Sequence, residues 1–260
     1  ATTVAGMIVE YETRDRVAII TLNRPEARNA VSNELAVALE EAVDRMEADD
    51  EIWMGILAAN GPVFSAGADL KAIASGNANL GTTRGGFGGF VVRERVKPVI
   101  AAVEGPAVAG GMELALLADC RVMGENAYMG VYCRRWGIPL IDGGTVRLPR
   151  LVGQGKALEI AMTGRKVPAD ECYRIGLCEK VVPDGQALQA ALDMAHEIVR
   201  FPSEAMRADR RSIIENHGRN IRDGLRNEWA NGIESCINQG TSGAGRFTEG
   251  KGRSGDFGDI

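Results

Sequence analysis

The chain has 260 residues, enough for one large hydrophobic core or for a core with a small appended unit. Apolar residues make up 45% and charged residues 25%, as in ordinary globular proteins, and no run of eighteen apolar residues predicts a transmembrane helix. The formal net charge is −5, whereas proteins that follow nucleic-acid phosphates are usually basic. We therefore expect neither a membrane protein nor a nucleic-acid-binding protein.

Cysteine and histidine content excludes several further classes. The five cysteines are odd in number and form no C-x-x-C motif, so we expect no disulfide framework, no metal site and a cytoplasmic location. The two histidines, His196 and His217, lie in polar helical surroundings and are expected at the surface. A Ser-His-Asp hydrolase or a histidine-ligated metal enzyme is therefore not predicted.

The first half of the chain alternates predicted strands with a helix. β-branched, apolar runs predict strands at residues 16–22, 52–59 and 99–103. Ser32 is a predicted helix N-cap. The helix after it has one apolar face at three- and four-residue spacing, formed by Leu35, Ala38, Leu39, Ala42, Val43 and Met46. Strands interleaved with helices indicate an α/β core.

The second half is predicted to be mainly helical. Helices are expected at 110–118, 156–162, 168–173 and from 184 to about 238, with short strands at 120–123 and 179–182. Residues 75–89 are glycine-rich and are predicted to form a mobile loop. The tail from Gly240 is also glycine-rich, and we expect it to be extended or disordered.

One motif resembles a nucleotide site without meeting its requirements. Residues 245–251, GRFTEGK, nearly match a P-loop, but Gly252 stands where Ser or Thr is needed. No helix is predicted to follow, and a phosphate-binding loop needs backbone amides fixed at a helix start. We therefore predict no P-loop.

Two segments that combine small residues with glycine carry more information. Residues 63–71, VFSAGADLK, follow a predicted strand. Residues 97–105 contain the strand predicted at 99–103 and a small-residue turn, and they precede the helix start at Ala109–Leu114. Each segment alone is an ordinary tight turn. A helix N-terminus, however, presents unpaired N–H groups and a positive partial charge. An amide there can stabilise an oxyanion that develops during a reaction.

Taken in order along the chain, these segments resemble the crotonase (enoyl-CoA hydratase/isomerase) family. The matching segments are 22–25 (LNRP), 64–70 (FSAGADL), 97–103 (KPVIAAV), 110–115 (GGMELA), 143–153 (GGTVRLPRLVG), 163–165 (TGR) and 176–183 (GLCEKVVP). The resemblance implies an α/β fold, namely a crotonase-like spiral of strand-strand-helix units with a helical C-terminal trimerisation region. On this basis we divide the chain into a core (1–195), a helical oligomerisation region (196–240) and a glycine-rich tail (241–260), and we expect a homotrimer or homohexamer.

The resemblance also implies an activity and its site. The substrate would be an acyl-CoA, with no cofactor beyond the coenzyme A that the substrate carries. The backbone N–H groups of Ala68 and Gly110 would form an oxyanion hole, and coenzyme A would lie against Ala66, Ala68 and Leu70. A thioester reacts at its α-carbon only if the negative charge that reaches its carbonyl oxygen is stabilised, which two preorganised donors can do.

The chain departs from the family at one expected catalytic position. Hydratases of this family use two glutamates, and the first matches Glu113. The second falls at Cys133, and no acidic residue lies between Glu125 and Asp142. Cys133 is either a buried filler or a catalytic participant, since neighbouring arginines could lower the pKa of its thiol.

Asp142 is the nearest acid that could replace the missing glutamate. Its alternative role is to cap a helix that begins near Gly143. Glu113 is expected to act as a general acid/base, with a structural pairing to Arg134 or Arg135 as the alternative.

Three functions therefore stay open at this point. The first is an enoyl-CoA hydratase or isomerase. The second is a non-catalytic acyl-CoA-binding protein, because Cys133 replaces the second glutamate. The third is a thioester hydrolase with Cys133 as nucleophile.

Overall fold

The structure is a computed structural model that describes residues 7–76, 79–255 and 258. The strands are β1 (Val9–Arg14), β2 (Val17–Leu22), β3 (Met54–Ala59), β4 (Gly81–Thr82), β5 (Gly86–Phe87), β6 (Val99–Val103), β7 (Pro106–Val108), β8 (Cys120–Gly124), β9 (Tyr128–Gly130), β10 (Lys166–Pro168) and β11 (Lys180–Val182). The helices are α1 (Asn33–Ala48), α2 (Leu70–Ala74), α3 (Gly110–Leu117), α4 (Gly144–Val152), α5 (Gln154–Thr163), α6 (Ala169–Arg174), α7 (Ala187–Ile198), α8 (Ser203–Glu215), α9 (Ile221–Ser235) and α10 (Thr241–Thr248).

The central sheet has the strand order β1-β2-β3-β6-β8-β11. The hairpin of β1 and β2 is antiparallel, and every later pair in this sheet is parallel. A second sheet, β10-β9-β7, lies beyond it, and β4 pairs with β5 as a small separate hairpin. Because β7 follows β6 after only two residues, the chain passes directly from the main sheet into the second one. The α/β spiral expected from the sequence is confirmed.

Both faces of the central sheet are buried. In β2, Ala18 and Ile20 belong to one hydrophobic cluster and Val17 and Ile19 to another, as the two-residue alternation of a strand requires. Helices α1 and α3 cover the first face, and α7 covers the second. A parallel sheet needs this cover on both sides because its strands are apolar on both faces.

Helix α1 forms as its sequence predicts. The Ser32 side chain accepts a hydrogen bond from the Leu35 N–H, as an N-cap should. At the C-terminal end of α1, the carbonyl groups of Met46 and Asp49 accept hydrogen bonds of 2.7 and 2.6 Å from the buried ammonium group of Lys97. The lysine of the K-P segment therefore fixes the end of α1 against the start of β6.

Two predictions for the glycine-rich segments are wrong. Residues 79–89 form the β4–β5 hairpin on α1 instead of a mobile loop, with the Thr82 hydroxyl donating to Glu40 at 2.7 Å. Residues 77 and 78 of that segment lie outside the described residues. In the tail, Thr241–Thr248 forms α10, which continues α9 through a π-helical turn at Cys236–Gly240. Neighbouring helical turns override the low helix propensity of glycine there.

The division at residue 195 stays a prediction, and it falls inside α7. Helix α7 buries Ala191, Leu192 and Ala195 against the sheet, whereas α8 and α9 pack mainly on each other. Within the described part of the chain, no helix combines the length and apolar character needed to span a bilayer.

Candidate active site

The two small-residue segments singled out in the sequence lie side by side. Ser65 and Ala107 form an isolated parallel β-bridge, in which the Val108 N–H donates to the Ser65 carbonyl at 3.0 Å. A Cβ atom added to Gly67 would lie 2.7 Å from the Gly110 nitrogen. Only glycine at position 67 allows this approach. The loop that follows β3 therefore touches the N-terminus of α3.

The N–H groups of Ala68 and Gly110, which meet at this junction, have no acceptor among the described residues. On either side of Ala68 the backbone is fixed, because the Val31 N–H donates to the Gly67 carbonyl at 2.7 Å and the Asp69 N–H donates to the Val31 carbonyl at 3.0 Å. Gly110 is the first residue of α3, where unpaired N–H groups carry positive partial charge.

Ala109 holds the start of α3 in a strained conformation. Its φ of 53° and ψ of −126° are those of the first central residue of a type II′ turn, where glycine dominates. The Ala109 N–H donates to the Gly130 carbonyl at 2.9 Å, and its own carbonyl accepts from the Met112 N–H at 3.0 Å. Strain of this kind concentrates at functional sites.

Glu113 lies in the first turn of α3 with only 2% of its surface exposed. Its Oε1 accepts hydrogen bonds from the Asp142 N–H at 3.0 Å and the Gly144 N–H at 2.8 Å. Burial raises its pKa to about 7, the charge of Asp142 acts in the same direction, and the hydrogen bonds and the charge of Arg147 oppose the rise. A carboxyl with a pKa near neutrality can both accept and donate a proton at physiological pH.

Asp142 lies beside Glu113, and it does not cap α4. The N-cap residue is Gly143, at φ 96° and without a side-chain cap, so the capping alternative is wrong. The Asp142 carboxylate has no hydrogen-bond partner among the described residues. Burial raises its pKa. Its charge also raises the pKa of Glu113.

Cys133 is buried, 7% exposed, on a 3-10 helix at Tyr132–Trp136. Burial and the charge of Glu113 raise the pKa of its thiol, so the thiol stays protonated at neutral pH. The charge of Arg134 lowers the pKa of this thiol by less than burial raises it. The Arg134 Nε donates to the Ala161 carbonyl, and Arg135 stacks 4.1 Å above the Tyr132 ring. A reactive thiolate needs a partly exposed, electropositive environment that lowers the pKa of the thiol. The structural pairing of Glu113 with either arginine is also wrong.

The segment expected to bind coenzyme A runs along the edge of this site. Ala66 and Ala68 are half-buried and Leu70 is 40% exposed. Asp69 caps α2 by accepting from the Lys71 and Ala72 N–H groups. An ion pair of 2.8 Å joins Asp69 to Arg24. This pair gives the Arg24 of the LNRP segment a role in holding the loop.

Sequence reasoning missed Phe87 and Arg147. A Cβ atom added to Gly110 would lie 2.6 Å from Cζ of Phe87, so this ring borders the Gly110 amide. Arg147 donates to the Val91 carbonyl at 2.6 Å and to the Asp142 carbonyl at 3.3 Å. A lone aromatic side chain between glycine pairs was the available signal for Phe87.

Comparison with known proteins agrees with this arrangement. The family described as enoyl-CoA hydratase/isomerase matches residues 12–249. Enoyl-CoA hydratase EchA19 of Mycobacterium tuberculosis is 39% identical over 221 residues, which cover 83% of each chain. A short-chain-enoyl-CoA hydratase of Clostridium acetobutylicum is 36% identical over 209 residues, covering 79% of this chain and 80% of that one.

Solved structures give the same result for the fold. Enoyl-CoA hydratase EchA1 of Mycobacterium marinum superposes with a TM-score of 0.89 at 36% identity, over 94% of this chain and 96% of that one. None of these relatives supports the alternative of a non-catalytic acyl-CoA-binding protein. The chain therefore belongs to the enoyl-CoA hydratase/isomerase (crotonase) family of enzymes.

Proposed function

We propose that this enzyme adds water across the 2,3-double bond of a 2-enoyl-CoA, with Glu113 transferring the proton. One observation carries the proposal. Helix α3 begins at Gly110, whose N–H has no acceptor among the described residues. One turn further on, the same helix bears Glu113, a buried carboxyl with a pKa of about 7. An electrophile bound at one end of this turn would meet a proton-transfer group at the other.

The proposed hydration depends on the negative charge that develops on the thioester oxygen. The oxygen of water bonds to C3 and the electron pair of the double bond moves towards the thioester oxygen. The N–H groups of Ala68 and Gly110 stabilise that oxyanion, and removal of one such donor costs about 3–4 kcal/mol in activation free energy. The proton that water loses passes through Glu113, and a proton is delivered to C2. Coenzyme A binds along Ala66, Ala68 and Leu70, and the reaction needs no other cofactor.

Asp142 takes the place of the missing second glutamate in this proposal. Its half-buried carboxylate is free to accept a hydrogen bond from water and to orient it. Cys133 takes no part in orienting water in this proposal, because a protonated thiol does so poorly. The nucleophilic role for Cys133 is disfavoured by its raised pKa.

Isomerisation is the second candidate, and the presence of Cys133 in place of the second glutamate favours it. A single carboxyl can remove a proton from C2 of a 3-enoyl-CoA and return it to C4, without water. The same oxyanion donors would be used. The two reactions differ in product mass, because only hydration adds a water molecule.

The test is turnover of 2-enoyl-CoA and 3-enoyl-CoA thioesters of several chain lengths, with products identified by mass spectrometry. Wild-type protein should yield 3-hydroxyacyl-CoA, and Glu113→Gln should lower kcat at least about a thousandfold, within the range of general acid–base catalysis. Glu125→Gln, at an exposed glutamate, is the matched control. Conversion of 3-enoyl-CoA alone would establish the isomerase, and no turnover of either class would refute both.

The assembly and the cellular location are part of the same proposal. Helix α9 exposes Ile221, Leu225 and Trp229 at 82, 60 and 69%, an apolar stripe that a trimer or hexamer of this chain would cover. Light scattering should give the mass of three or six chains, and Trp229→Lys should lower it. Five free cysteines suit the reducing cytoplasm.

A further inference from the structure

Arg147 connects two parts of the site that are distant in sequence. It lies on α4, and its Nη2 donates to the carbonyl of Val91 at 2.6 Å while its Nη1 donates to the carbonyl of Asp142 at 3.3 Å. Val91 follows the β4–β5 hairpin, and Asp142 begins the turn that holds Glu113. The planar fork of a guanidinium group can fix two acceptors at once.

On one side, Arg147 orders the turn around the carboxyl. The N–H groups of Asp142 and Gly144 both donate to Glu113, and Arg147 donates to the carbonyl of Asp142. A Cβ atom added to Gly143 would lie 1.9 Å from Nη1 of Arg147. The guanidinium group therefore fills the space beside the turn that glycine leaves open.

On the other side, Arg147 holds the segment that follows the hairpin. The Val91 N–H donates to the Phe87 carbonyl at 3.4 Å, so Val91 is tied to the residue whose ring borders Gly110. That ring leaves no room for a side chain at position 110. A shift of Val91 would move the wall beside the Gly110 amide.

We propose that Arg147 is a positioning residue, which fixes the Glu113 carboxyl and the Gly110 amide relative to each other by binding the Asp142 and Val91 carbonyls. The inference rests on the proposed function, and it adds to it a residue that touches neither the thioester nor the water. Proton transfer and oxyanion stabilisation must act on one substrate at once, so their separation has to be fixed. A misplacement of about 1 Å can cost about a hundredfold in rate.

The charge of Arg147 also reaches Glu113. Of the groups that face this carboxyl, Asp142 raises its pKa, Arg147 lowers it, and the neutral Cys133 thiol adds no charge. Loss of the guanidinium group should therefore move the pKa of Glu113 further upward. An arginine whose charge does not reach Glu113 would leave the pH profile unchanged.

Three variants separate the effect of the hydrogen bonds that Arg147 makes from the effect of its positive charge. In Arg147→Gln both are lost, and we expect kcat to fall about ten- to a hundredfold, with a smaller change in KM and a pH profile shifted to higher pH. In Arg147→Lys the charge remains and the fork is lost, so kcat should fall while the profile stays near that of the wild type. Arg150→Gln, at an exposed arginine on the same helix, should match the wild type.

The outcomes are distinguishable. If Arg147→Gln and Arg150→Gln give the same kcat and the same pH profile with 2-enoyl-CoA, Arg147 does not position the site. If Arg147→Gln does not fold, as judged by circular dichroism, Arg147→Lys decides: wild-type kcat overturns the inference. A wild-type protein without turnover refutes the proposed function itself, and the positioning role falls with it.

Discussion

The Gly144 N–H donates a hydrogen bond of 2.8 Å to Oε1 of Glu113, so the first residue of α4 holds the carboxyl carried by α3. A charge-assisted bond of this kind is stronger than a neutral one. The Glu113 carboxyl also leaves no room for a side chain at position 144, since a Cβ atom added to Gly144 would lie 2.8 Å from the same oxygen. Any other residue at position 144 must displace the carboxyl, Leu140 or both.

Gly144→Ala is expected to lower kcat by about tenfold or more, because the displaced carboxyl no longer lies where proton transfer requires it. The measurement is kcat for hydration of a 2-enoyl-CoA, together with the midpoint of thermal unfolding. Gly155→Ala is the control, because a Cβ atom at this helical position meets nothing within 4 Å. It should keep full activity and gain up to about 1 kcal/mol in the free energy of unfolding. Equal activity of the two variants would contradict the proposed role of Gly144.

The raised pKa of Glu113, about 7 against an ordinary value of 4.5, predicts how stability changes with pH. The folded protein holds this proton more tightly than the unfolded chain, so the contribution of Glu113 to stability is fully present below pH 4.5 and is lost as the pH rises through 7. Glu113→Gln removes the titration. Its free energy of unfolding should therefore exceed that of the wild type by about 3 kcal/mol above pH 7.

Urea unfolding at several pH values measures this difference. It should be smallest near pH 4.5 and should increase up to about pH 8. Glu125→Gln, at an exposed glutamate, should show no such trend. A constant difference between Glu113→Gln and the wild type across the whole range would show that the carboxyl is not desolvated in solution.

Ala109→Gly is expected to stabilise the protein. The conformation of Ala109, φ 53° and ψ −126°, is strained by about 1–3 kcal/mol in a residue that has a Cβ atom, and glycine adopts it freely. The gain in the folded state should exceed the loss of about 1 kcal/mol that comes from the greater freedom of glycine in the unfolded chain. Ala115→Gly, in the middle of α3, should instead destabilise. Thermal unfolding of both variants measures the sign, and activity should survive in Ala109→Gly.

Cys133→Ala is expected to keep most of the activity, because a protonated thiol transfers no proton in the proposed reaction. The lost packing of a buried sulfur should cost about 1–2 kcal/mol in the free energy of unfolding. Iodoacetamide at pH 7 should label the exposed Cys236 and leave Cys133 unlabelled, as peptide mass spectrometry can show. Loss of activity in Cys133→Ala without loss of stability would instead place the thiol in the mechanism.

The sequence predicts those features that local pattern encodes. The Ser32 cap, the apolar face of α1 and the strand at 99–103 follow from residue spacing, and the structure has each. The three-residue strands β7, β9 and β10 are too short to show a period. The bond from Arg147 to Val91 joins residues 56 positions apart, and its acceptor is a carbonyl that every residue has. Such a contact has no signature in the sequence, so the positioning of Glu113 could not be predicted from it.

Lys97 illustrates how a side chain can be recognised in a family segment while its role stays hidden. It is 4% exposed, and its ammonium group donates to the carbonyls of Met46 and Asp49 at the end of α1. Lys97→Met preserves volume but leaves both carbonyls unpaired, at about 1–3 kcal/mol each. We expect a loss of about 2–4 kcal/mol in the free energy of unfolding, measured by urea denaturation. Lys180→Met, at an exposed lysine, should change it by less than about 0.5 kcal/mol. If the two variants are equally stable, the lysine does not fasten α1 to β6 in solution.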